Sequence, residues 1–277
     1  MLRAVLPSRL RVASLHLYPI KSAAGHEVRE LPFDERGPAG DRRLMLVTTQ
    51  GRFITQRTHP RLALLRARLD GDALVVATPA GEAVTQALPR GGPLLPVKIF
   101  RDTIDVLPVP GPASLLCSDF LGTVCTLVAV DPRTVRTATS GDGRTFPISL
   151  VDAWPLLVTT RASLAAISAH AGRELPLERF RPNIVLEPVD SAQVPAHVED
   201  RAARLHAAGI ELVFGKTCSR CTIVDVDPRS GEVDEGPLEA LQDLRGEAKF
   251  GAYYGARCSR PLRTGEVLEV EWRVAAP

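Results

Sequence analysis

The sequence predicts a mainly β protein with α+β elements, in which a β-rich N-terminal domain precedes a second domain that mixes strands with a few short helices. From residue 10 to 109, short apolar or alternating runs follow one another, separated by Gly, Pro and Asp. That rhythm is typical of a β-sandwich or barrel. After residue 145, strand-like runs alternate with segments of helical periodicity. Because the polar stretch 131–144 separates the two patterns, we expect domains at 10–130 and 131–273.

The N-terminal half contains a series of strand-like runs and one helical segment. The expected strands are 11–18, 43–49, 62–69, 73–78, 97–100, 104–109 and 125–130. Gly51 and Gly71 lie between such runs, where a turn often requires a positive φ. Pro112 predicts the start of a short helix over 112–120, because proline suits the first helical turn.

The second half is expected to contain two further helices. Thr160 is a good N-cap for a helix with Leu164 and Ile167 on one face and Gly172 as its stop. Pro237 predicts the start of a short helix over 237–244. A strand that leads into the Thr160 helix would form a junction that favours anions. The expected strands are 155–158, 184–186, 210–214, 222–226, 252–254 and 266–272.

Composition excludes several classes of function. The 277 residues are 45% hydrophobic and 24% charged, values of a folded globular protein and not of a disordered one. A net charge of +2 without a block of Lys or Arg gives no sign of a nucleic-acid polymer as partner. No apolar run approaches the roughly 20 residues that span a bilayer, and the Arg-containing N-terminus does not resemble a signal peptide. We therefore expect a cytoplasmic protein without a membrane segment.

The sequence Cys218-Ser219-Arg220-Cys221 is the most informative local motif. Five cysteines in the chain form an odd and sparse set, which favours reduced thiols over a disulfide framework. A CxxC tract can be half of a zinc site, a redox pair, a single thiolate ligand with a neighbour, or two packing residues. A second CxxC is lacking, the six histidines show no short ligand spacing, and β-like residues follow the tract. These facts disfavour zinc and a thioredoxin-like pair but leave the other two interpretations open.

Several tracts resemble the MOSC-domain family, named after the C-terminal domain of molybdenum-cofactor sulfurase. The C-terminal half contains CSRCTIVDVDPRSGEVDEGPLEAL, KFGAYYG and GEVLEVEW, and its early part contains PLLVTTRASLAAI and ERFRPNIVLE. The N-terminal half contains YPIKSAAGHEV, GPAGDRRLMLV and FITQRTHPRLALL. Their order is similar to that in the subgroup of the mitochondrial amidoxime-reducing component and its bacterial relatives. The resemblance implies a MOSC N-terminal β-rich domain followed by a MOSC β-barrel domain that binds the molybdenum cofactor.

The resemblance also implies a set of site residues. Cys221 falls on the thiol that ligates molybdenum, a role that suits a soft thiolate, and Cys218 is then a neighbour. The positions that match cofactor-binding residues are Lys21, Ser22, Arg42, Arg57, Thr160, Ser163, Arg181, Asn183, Ser219, Arg220, Cys221 and Tyr253. Cations and hydroxyls among them suit the pterin phosphate, and an amide suits the heterocycle. Taken singly, Lys21 or Arg42 is an ordinary charge and Thr160 an ordinary helix cap, so the prediction depends on the joint pattern.

The activity implied is molybdenum-cofactor-dependent reduction of small N-hydroxylated compounds such as amidoximes, hydroxylamines and N-hydroxylated nucleobases. Some bacterial relatives append a ferredoxin-like domain with an iron–sulfur cluster, whereas this sequence ends at Pro277 without the four cysteines of such a domain. We therefore expect no iron–sulfur cluster on this chain and a separate electron donor, which could be a ferredoxin, a cytochrome b5-like protein or a flavoprotein reductase. Two alternatives remain: a carrier of the cofactor or of sulfur on Cys221 without redox turnover, and a structural β-protein with an incidental CxxC.

Overall fold

A computed structural model describes residues 6–189 and 194–273. The strands of the first half are β1 Arg9–Leu17, β2 His26–Val28, β3 Glu30–Leu31, β4 Phe33–Asp34, β5 Gly37–Pro38, β6 Leu44–Thr48, β7 Arg66–Asp70, β8 Ala73–Ala77, β9 Ala83–Ala87, β10 Leu95–Ile99, β11 Asp102–Val109 and β12 Cys125–Ala129. Those of the second half are β13 Thr137–Thr139, β14 Thr145–Pro147, β15 Leu156–Thr160, β16 Ile184–Pro188, β17 Ala202–Ala207, β18 Ile210–Ser219, β19 Lys249–Cys258, β20 Leu262–Arg263 and β21 Val267–Trp272. The α-helices are α1 Pro112–Leu121, α2 Arg161–His170 and α3 Pro237–Arg245, and short 3-10 helices are Pro60–Leu64, Leu177–Arg179, Val198–Arg201 and Thr222–Asp225.

Six strands of the second half and β1 form a closed barrel of seven strands. Their order is β1-β16-β15-β19-β18-β17-β21, and β21 pairs with β1 to close the ring. The β15–β16 pair is parallel and the other pairs are antiparallel. Leu15, Val158, Leu212 and Leu268 are fully buried in the barrel core, where apolar burial stabilises the fold. The expected mainly β fold is confirmed.

The first strand of the chain belongs to this barrel. In β1, Leu10 is opposite Pro188 of β16 and also opposite Leu268 of β21. Thus a strand from the N-terminal half closes the barrel of the C-terminal half. The division at 10–130 and 131–273 stays a prediction, and the pairing of β1 shows that the two halves share one structural element.

The remainder of the N-terminal half forms smaller sheets beside the barrel. One sheet has the order β10-β11-β12-β6 and another the order β7-β8-β9. Helix α1 begins at Pro112, ends at Gly122 in the left-handed conformation, and buries Ala113 and Cys117 in the core between the two sheets. Proline suits the first helical position and glycine the left-handed C-cap. The predicted helix at 112–120 is confirmed.

Several sequence predictions of secondary structure need correction. The segment 222–226 is a 3-10 helix and not a strand, and 62–69 begins with another 3-10 helix before β7. Strands β9 and β17 were not expected, and the polar stretch 131–144 contributes to the hairpin β13–β14. Helices α2 and α3 match their predictions. Among the described residues, no helix has both the length and the apolar character needed to cross a membrane.

Candidate functional site

A cleft beside the C-terminal end of β18 gathers most of the predicted site residues. Its lining consists of Lys21, Ser22, Arg42, Val151, Asp152, Trp154, Pro155, Leu157, Phe180, Arg181, Asn183, Ser219, Arg220, Cys221, Ile223 and Tyr253. Nine of the twelve predicted residues are in this set. They come from segments far apart in sequence, so the fold itself assembles the cleft.

Three polar residues of the cleft have a left-handed backbone. The φ angles are +66° at Ser22, +46° at Arg42 and +56° at Arg181. Residues other than glycine rarely adopt this conformation, which costs on the order of 1–3 kcal/mol. Three such residues around one cleft therefore indicate a site whose geometry is maintained at some cost in stability.

Two of these residues hold an aromatic ring between them. The Cζ atoms of Arg42 and Arg181 lie 4.2 and 4.4 Å from the centroid of the buried Tyr18 ring. Arg42 Nη2 donates a 3.0 Å hydrogen bond to the carbonyl of Arg181, and Arg42 Nη1 donates to Asp41 Oδ2 at 2.6 Å. Burial and the neighbouring Arg42 lower the pKa of Arg181 to about 10, so the guanidinium of Arg181 stays charged at neutral pH. The Tyr18 ring fixes two cations at the cleft wall.

Asn183 connects these arginines to the barrel through hydrogen bonds. Its Oδ1 accepts hydrogen bonds from the backbone N–H of Leu157 and from Arg42 Nη1, both at 3.1 Å. Its Nδ2 donates to the carbonyl of His16 at 3.2 Å. Asn183 was predicted to offer its amide to a heterocycle, but protein partners already occupy both ends of that amide. In this structure it orients Arg42 and borders the cleft.

Two buried guanidinium nitrogens in the cleft wall have no hydrogen-bond partner among the described residues. These are Arg181 Nη2 and Arg220 Nε. The other nitrogen of Arg181, Nη1, donates to the carbonyl of Ala23 at 2.6 Å, so the guanidinium is held in place. An unpaired buried donor is costly unless a ligand satisfies it. Unpaired donors and a cationic wall fit an anionic ligand such as a phosphorylated pterin.

The two thiols of the CSRC tract have different surroundings. Cys221 is exposed, and Arg57 Nη1 lies 3.4 Å from its Sγ. Cys218 is buried, and Arg220 Nη1 donates to its Sγ at 3.1 Å. Arg220 Nη2 also donates to the carbonyl of Phe180 at 2.9 Å. Only Cys221 is open to the cleft, whereas Cys218 is enclosed, which favours one thiolate ligand over a redox pair.

A zinc site would require more ligands than the CSRC tract supplies. Within 6–189 and 194–273, no three His, Cys, Asp or Glu side chains are grouped as metal ligands. A ligand set made by the chain alone is therefore not formed in this part of the structure. One cysteine thiolate suits a metal whose remaining ligands belong to a cofactor.

Arg57 does not line the cleft but reaches its edge through the contact with Cys221. Its side chain is exposed, so it can respond to a ligand by changing its rotamer. Ser219 and Tyr253 border the same end of the cleft. Burial and the neighbouring Cys218 raise the pKa of Tyr253 well above its usual value. The Tyr253 hydroxyl is therefore neutral at physiological pH.

Thr160 and Ser163 are not among the residues that line the cleft, and their role as cofactor ligands stays a prediction. Both side chains are buried, and Thr160 Oγ1 accepts the N-cap hydrogen bond from the backbone N–H of Ser163 at 3.1 Å. Their hydroxyls donate to the buried carboxyl of Glu199, at 3.2 Å from Thr160 and 2.8 Å from Ser163. The N-cap is confirmed, but the anionic partner is a side chain of the protein itself.

Asp152 is a site residue that sequence reasoning missed. Its carboxylate pairs with the buried ammonium of Lys21. Burial opposes ionisation, yet the charges of Lys21, Arg57 and Arg42 outweigh it and lower the pKa of Asp152 to about 2. Asp152 therefore offsets part of the positive charge of the cleft and holds Lys21 in place. An acidic residue within an apolar run gave no local signal of this role.

Apolar residues of the cleft were also missed. Trp154 packs against Gly215 of β18, where an added Cβ would lie 2.5 Å from the indole ring. Phe180 stacks on Phe250 with centroids 4.0 Å apart. A contact between two aromatic rings stabilises the fold by about 0.5–1.5 kcal/mol beyond the effect of the area that it buries. These aromatic side chains pack tightly beneath the apolar part of the cleft lining, which together with the cations suits a flat ligand with a charged end.

The structure is that of a β-barrel protein whose candidate site is a cation-lined cleft with an exposed thiol. The chain belongs to the family of MOSC-domain proteins: residues 9–124 match the MOSC N-terminal beta barrel domain, and residues 146–270 match the MOSC domain. The resemblance stated from the sequence is thereby confirmed.

Two named proteins are similar to this chain over most of its length, at low sequence identity. Mitochondrial amidoxime reducing component 2 of Homo sapiens is 28% identical, over 92% of this chain and 82% of its own length. Molybdenum cofactor sulfurase of Danio rerio is 29% identical over 91% of this chain, which spans only 33% of that protein. Among solved structures, the YUAD protein of Bacillus subtilis matches 96% of this chain and 97% of its own with a TM-score of 0.38 and 10% identity. That last likeness is too weak to support an argument.

Proposed function

We propose that this protein is a molybdenum-cofactor-dependent reductase of small N-hydroxylated compounds, including amidoximes, hydroxylamines and N-hydroxylated nucleobases. The observation that carries the proposal is the exposed thiol of Cys221 at the edge of a cleft with an excess of fixed cations. Relatives named as amidoxime reducing components are similar over most of this chain. A soft thiolate beside a phosphate-binding wall is the donor set that a molybdenum pterin requires.

The residues that would hold the cofactor divide into two groups. Ser22, Arg42 and Arg181 would bind the anionic end, because all three line the cleft and Arg181 Nη2 has no hydrogen-bond partner among the described residues. Cys221 would bind the metal, with Ser219 beside it on the same loop. The apolar wall would exclude water from the heterocycle. The bound cofactor supplies the two-electron redox chemistry, and the protein positions it.

The chain's own side chains then control charge around the reacting group. Arg57 provides a hydrogen-bond donor to the Cys221 sulfur and places its guanidinium beside that atom. The Lys21–Asp152 pair keeps a charged ammonium at the cleft. Reduction of an amidoxime to an amidine consumes two electrons and two protons and releases water. We propose that the electrons come from a separate donor protein, such as a ferredoxin, a cytochrome b5-like protein or a flavoprotein reductase.

The test uses protein from a host that makes the cofactor. Molybdenum and pterin are measured per chain, and benzamidoxime reduction is followed with a chemically reduced viologen dye as electron source. We expect about one molybdenum per chain and turnover that depends on both dye and substrate. Protein that contains zinc and no molybdenum would contradict the proposal.

The same experiment distinguishes the carrier alternative, which is favoured by the similarity to molybdenum cofactor sulfurase. A carrier would bind the cofactor, or a persulfide on Cys221, without reducing benzamidoxime. Mass spectrometry of the intact chain would detect a persulfide as an added sulfur. Cofactor at full occupancy without turnover would therefore replace the reductase by the carrier.

A further inference from the structure

Phe100 has an unusual backbone and an exposed ring. It lies in the two-residue turn between β10 and β11, where Ile99 pairs with Asp102. Its φ is +53° and its side chain is 52% exposed. Such turn positions favour glycine or asparagine, and a bulky residue with positive φ is strained. An exposed phenylalanine therefore occupies a position where neither burial nor turn geometry explains it.

A second aromatic ring supports Phe100. The ring of Phe53 contacts it edge to face, with centroids 5.1 Å apart and planes at 63°. The backbone brings the two segments together, since Lys98 N–H donates to the carbonyl of Gly51 at 2.8 Å. Phe53 is partly buried against the core of the N-terminal sheet. Phe53 is thus the anchored member of the pair, and Phe100 is the exposed one.

The pair lies beside the cations at the thiol end of the cleft. Lys21 Nζ lies 5.8 Å from the centroids of both rings. Arg57 Cζ lies 5.9 Å from the Phe53 centroid and 5.8 Å from that of Phe100. Arg57 also contacts Cys221, so a single side chain connects the aromatic pair with the proposed metal ligand.

We infer that Phe53 and Phe100 form a stacking platform for the planar aromatic part of the substrate, so that the enzyme prefers aryl amidoximes and related ring compounds to small aliphatic ones. This inference rests on the proposed function and specifies its substrate class. An aromatic face offers offset stacking or edge contacts to a flat ring. The reacting N–O group would then point toward Cys221, past Arg57. The strain at Phe100 is retained because the ring serves the substrate.

The test compares benzamidoxime with acetamidoxime, which carries a methyl group in place of the phenyl ring. Phe100→Asn removes the ring and suits the positive φ, so the fold should be as stable as before or more so. We expect its KM for benzamidoxime to rise about fivefold or more, with kcat and the KM for acetamidoxime within twofold of wild type. Val135→Asn, at an exposed residue outside the cleft lining, is the matched control and should change neither KM.

A second measurement does not depend on turnover. Ligand-observed NMR with benzamide and acetamide should show benzamide binding to the cofactor-loaded protein and loss of that binding in Phe100→Asn. Benzamide binding that depends on Phe100 without any turnover would keep the platform and refute the reductase. Equal KM values for benzamidoxime in wild type and Phe100→Asn, or equal shifts for both substrates, would overturn the platform. If Phe100→Asn is slower than wild type only when a protein supplies the electrons, Phe53 and Phe100 belong to a docking site for that protein. This result would also overturn the stacking platform.

Discussion

Arg57 Nη1 and Cys221 Sγ lie 3.4 Å apart, although 164 positions separate these residues in the chain. The contact joins the N-terminal half of the chain to the loop after β18. It places a cationic donor on the one thiol that is open to the cleft. The relationship leads to a direct expectation for the role of Arg57.

Arg57→Gln should slow reduction of an N-hydroxylated substrate by about three- to tenfold. Loss of a partly exposed charged donor is worth roughly 1 kcal/mol, and about 1.4 kcal/mol corresponds to a factor of ten in rate. The metal content should change little, because Arg57 is not among the residues that line the candidate cleft. Arg61→Gln is the control, since Arg61 packs over Phe120 instead. Steady-state rates of reduction are measured for both variants and for wild type. Equal rates in Arg57→Gln and wild type would show that Arg57 does not act at the site.

Arg181→Lys should reduce cofactor retention. A lysine cannot supply the second guanidinium nitrogen, Nη2, for which residues 6–189 and 194–273 offer no hydrogen-bond partner. Since Arg42 also packs on Tyr18, the fold should persist, and we expect at least a fivefold loss of molybdenum per chain at an unchanged melting temperature. Arg173→Lys alters an arginine paired with Asp234 and should retain the metal. Full metal occupancy in Arg181→Lys would contradict the assignment.

The buried carboxyl of Glu199 predicts a dependence of stability on pH. Burial raises the pKa of Glu199 to about 7 from a usual 4.5. Because the pKa is higher in the folded state, the folded chain binds this proton more tightly than the unfolded chain. The resulting contribution to the free energy of unfolding is fully present below about pH 4.5 and is lost as the pH rises through 7. Between pH 5 and 8, wild type should lose on the order of 2–3 kcal/mol relative to Glu199→Gln. Urea unfolding of the two cofactor-free chains measures this, and parallel pH profiles would refute it.

Ser163→Ala tests whether Ser163 stabilises the fold or binds the cofactor. The hydroxyl of Ser163 donates to Glu199, so its loss should lower the free energy of unfolding by about 1–3 kcal/mol. Molybdenum content should remain at the wild-type level, because the side chain does not face the cleft. A stable variant that lacks cofactor would restore Ser163 as a cofactor ligand.

Local patterns predicted most of the fold but not its closure. Pro112, Thr160 and Pro237 predicted the three helices, because helix caps act within a few residues. The pairing of β1 with β16 and β21 joins residues far apart in sequence and leaves no local pattern. The segment 222–226 was mistaken for a strand because it is rich in β-branched residues. Instead, Asp225 Oδ1 accepts a hydrogen bond from the backbone N–H of Leu238, a distant contact that stabilises the 3-10 turn.

The charged and thiol residues that line the candidate cleft were named through the resemblance, whereas the residues placed there by packing were missed. Lys21, Arg42 and Arg181 were predicted by type and order. Asp152 and Trp154 were not, because an ion pair with Lys21 and contact with a glycine of β18 appear only in three dimensions. A helix cap and an anion-binding site also share the same sequence signal.

Cys221 is the proposed metal ligand and Cys218 its neighbour, and paired serine variants test this assignment most directly. Cys221→Ser replaces a soft thiolate by a hydroxyl, a far poorer donor to molybdenum, so turnover should collapse while much of the pterin remains bound. In Cys218→Ser, the new hydroxyl can still accept the hydrogen bond that Arg220 donates to Cys218, so activity and metal should largely persist. Turnover, molybdenum and pterin are measured together for both variants. Equal losses in both variants, or an active Cys221→Ser enzyme, would contradict the assignment of Cys221 as the metal ligand.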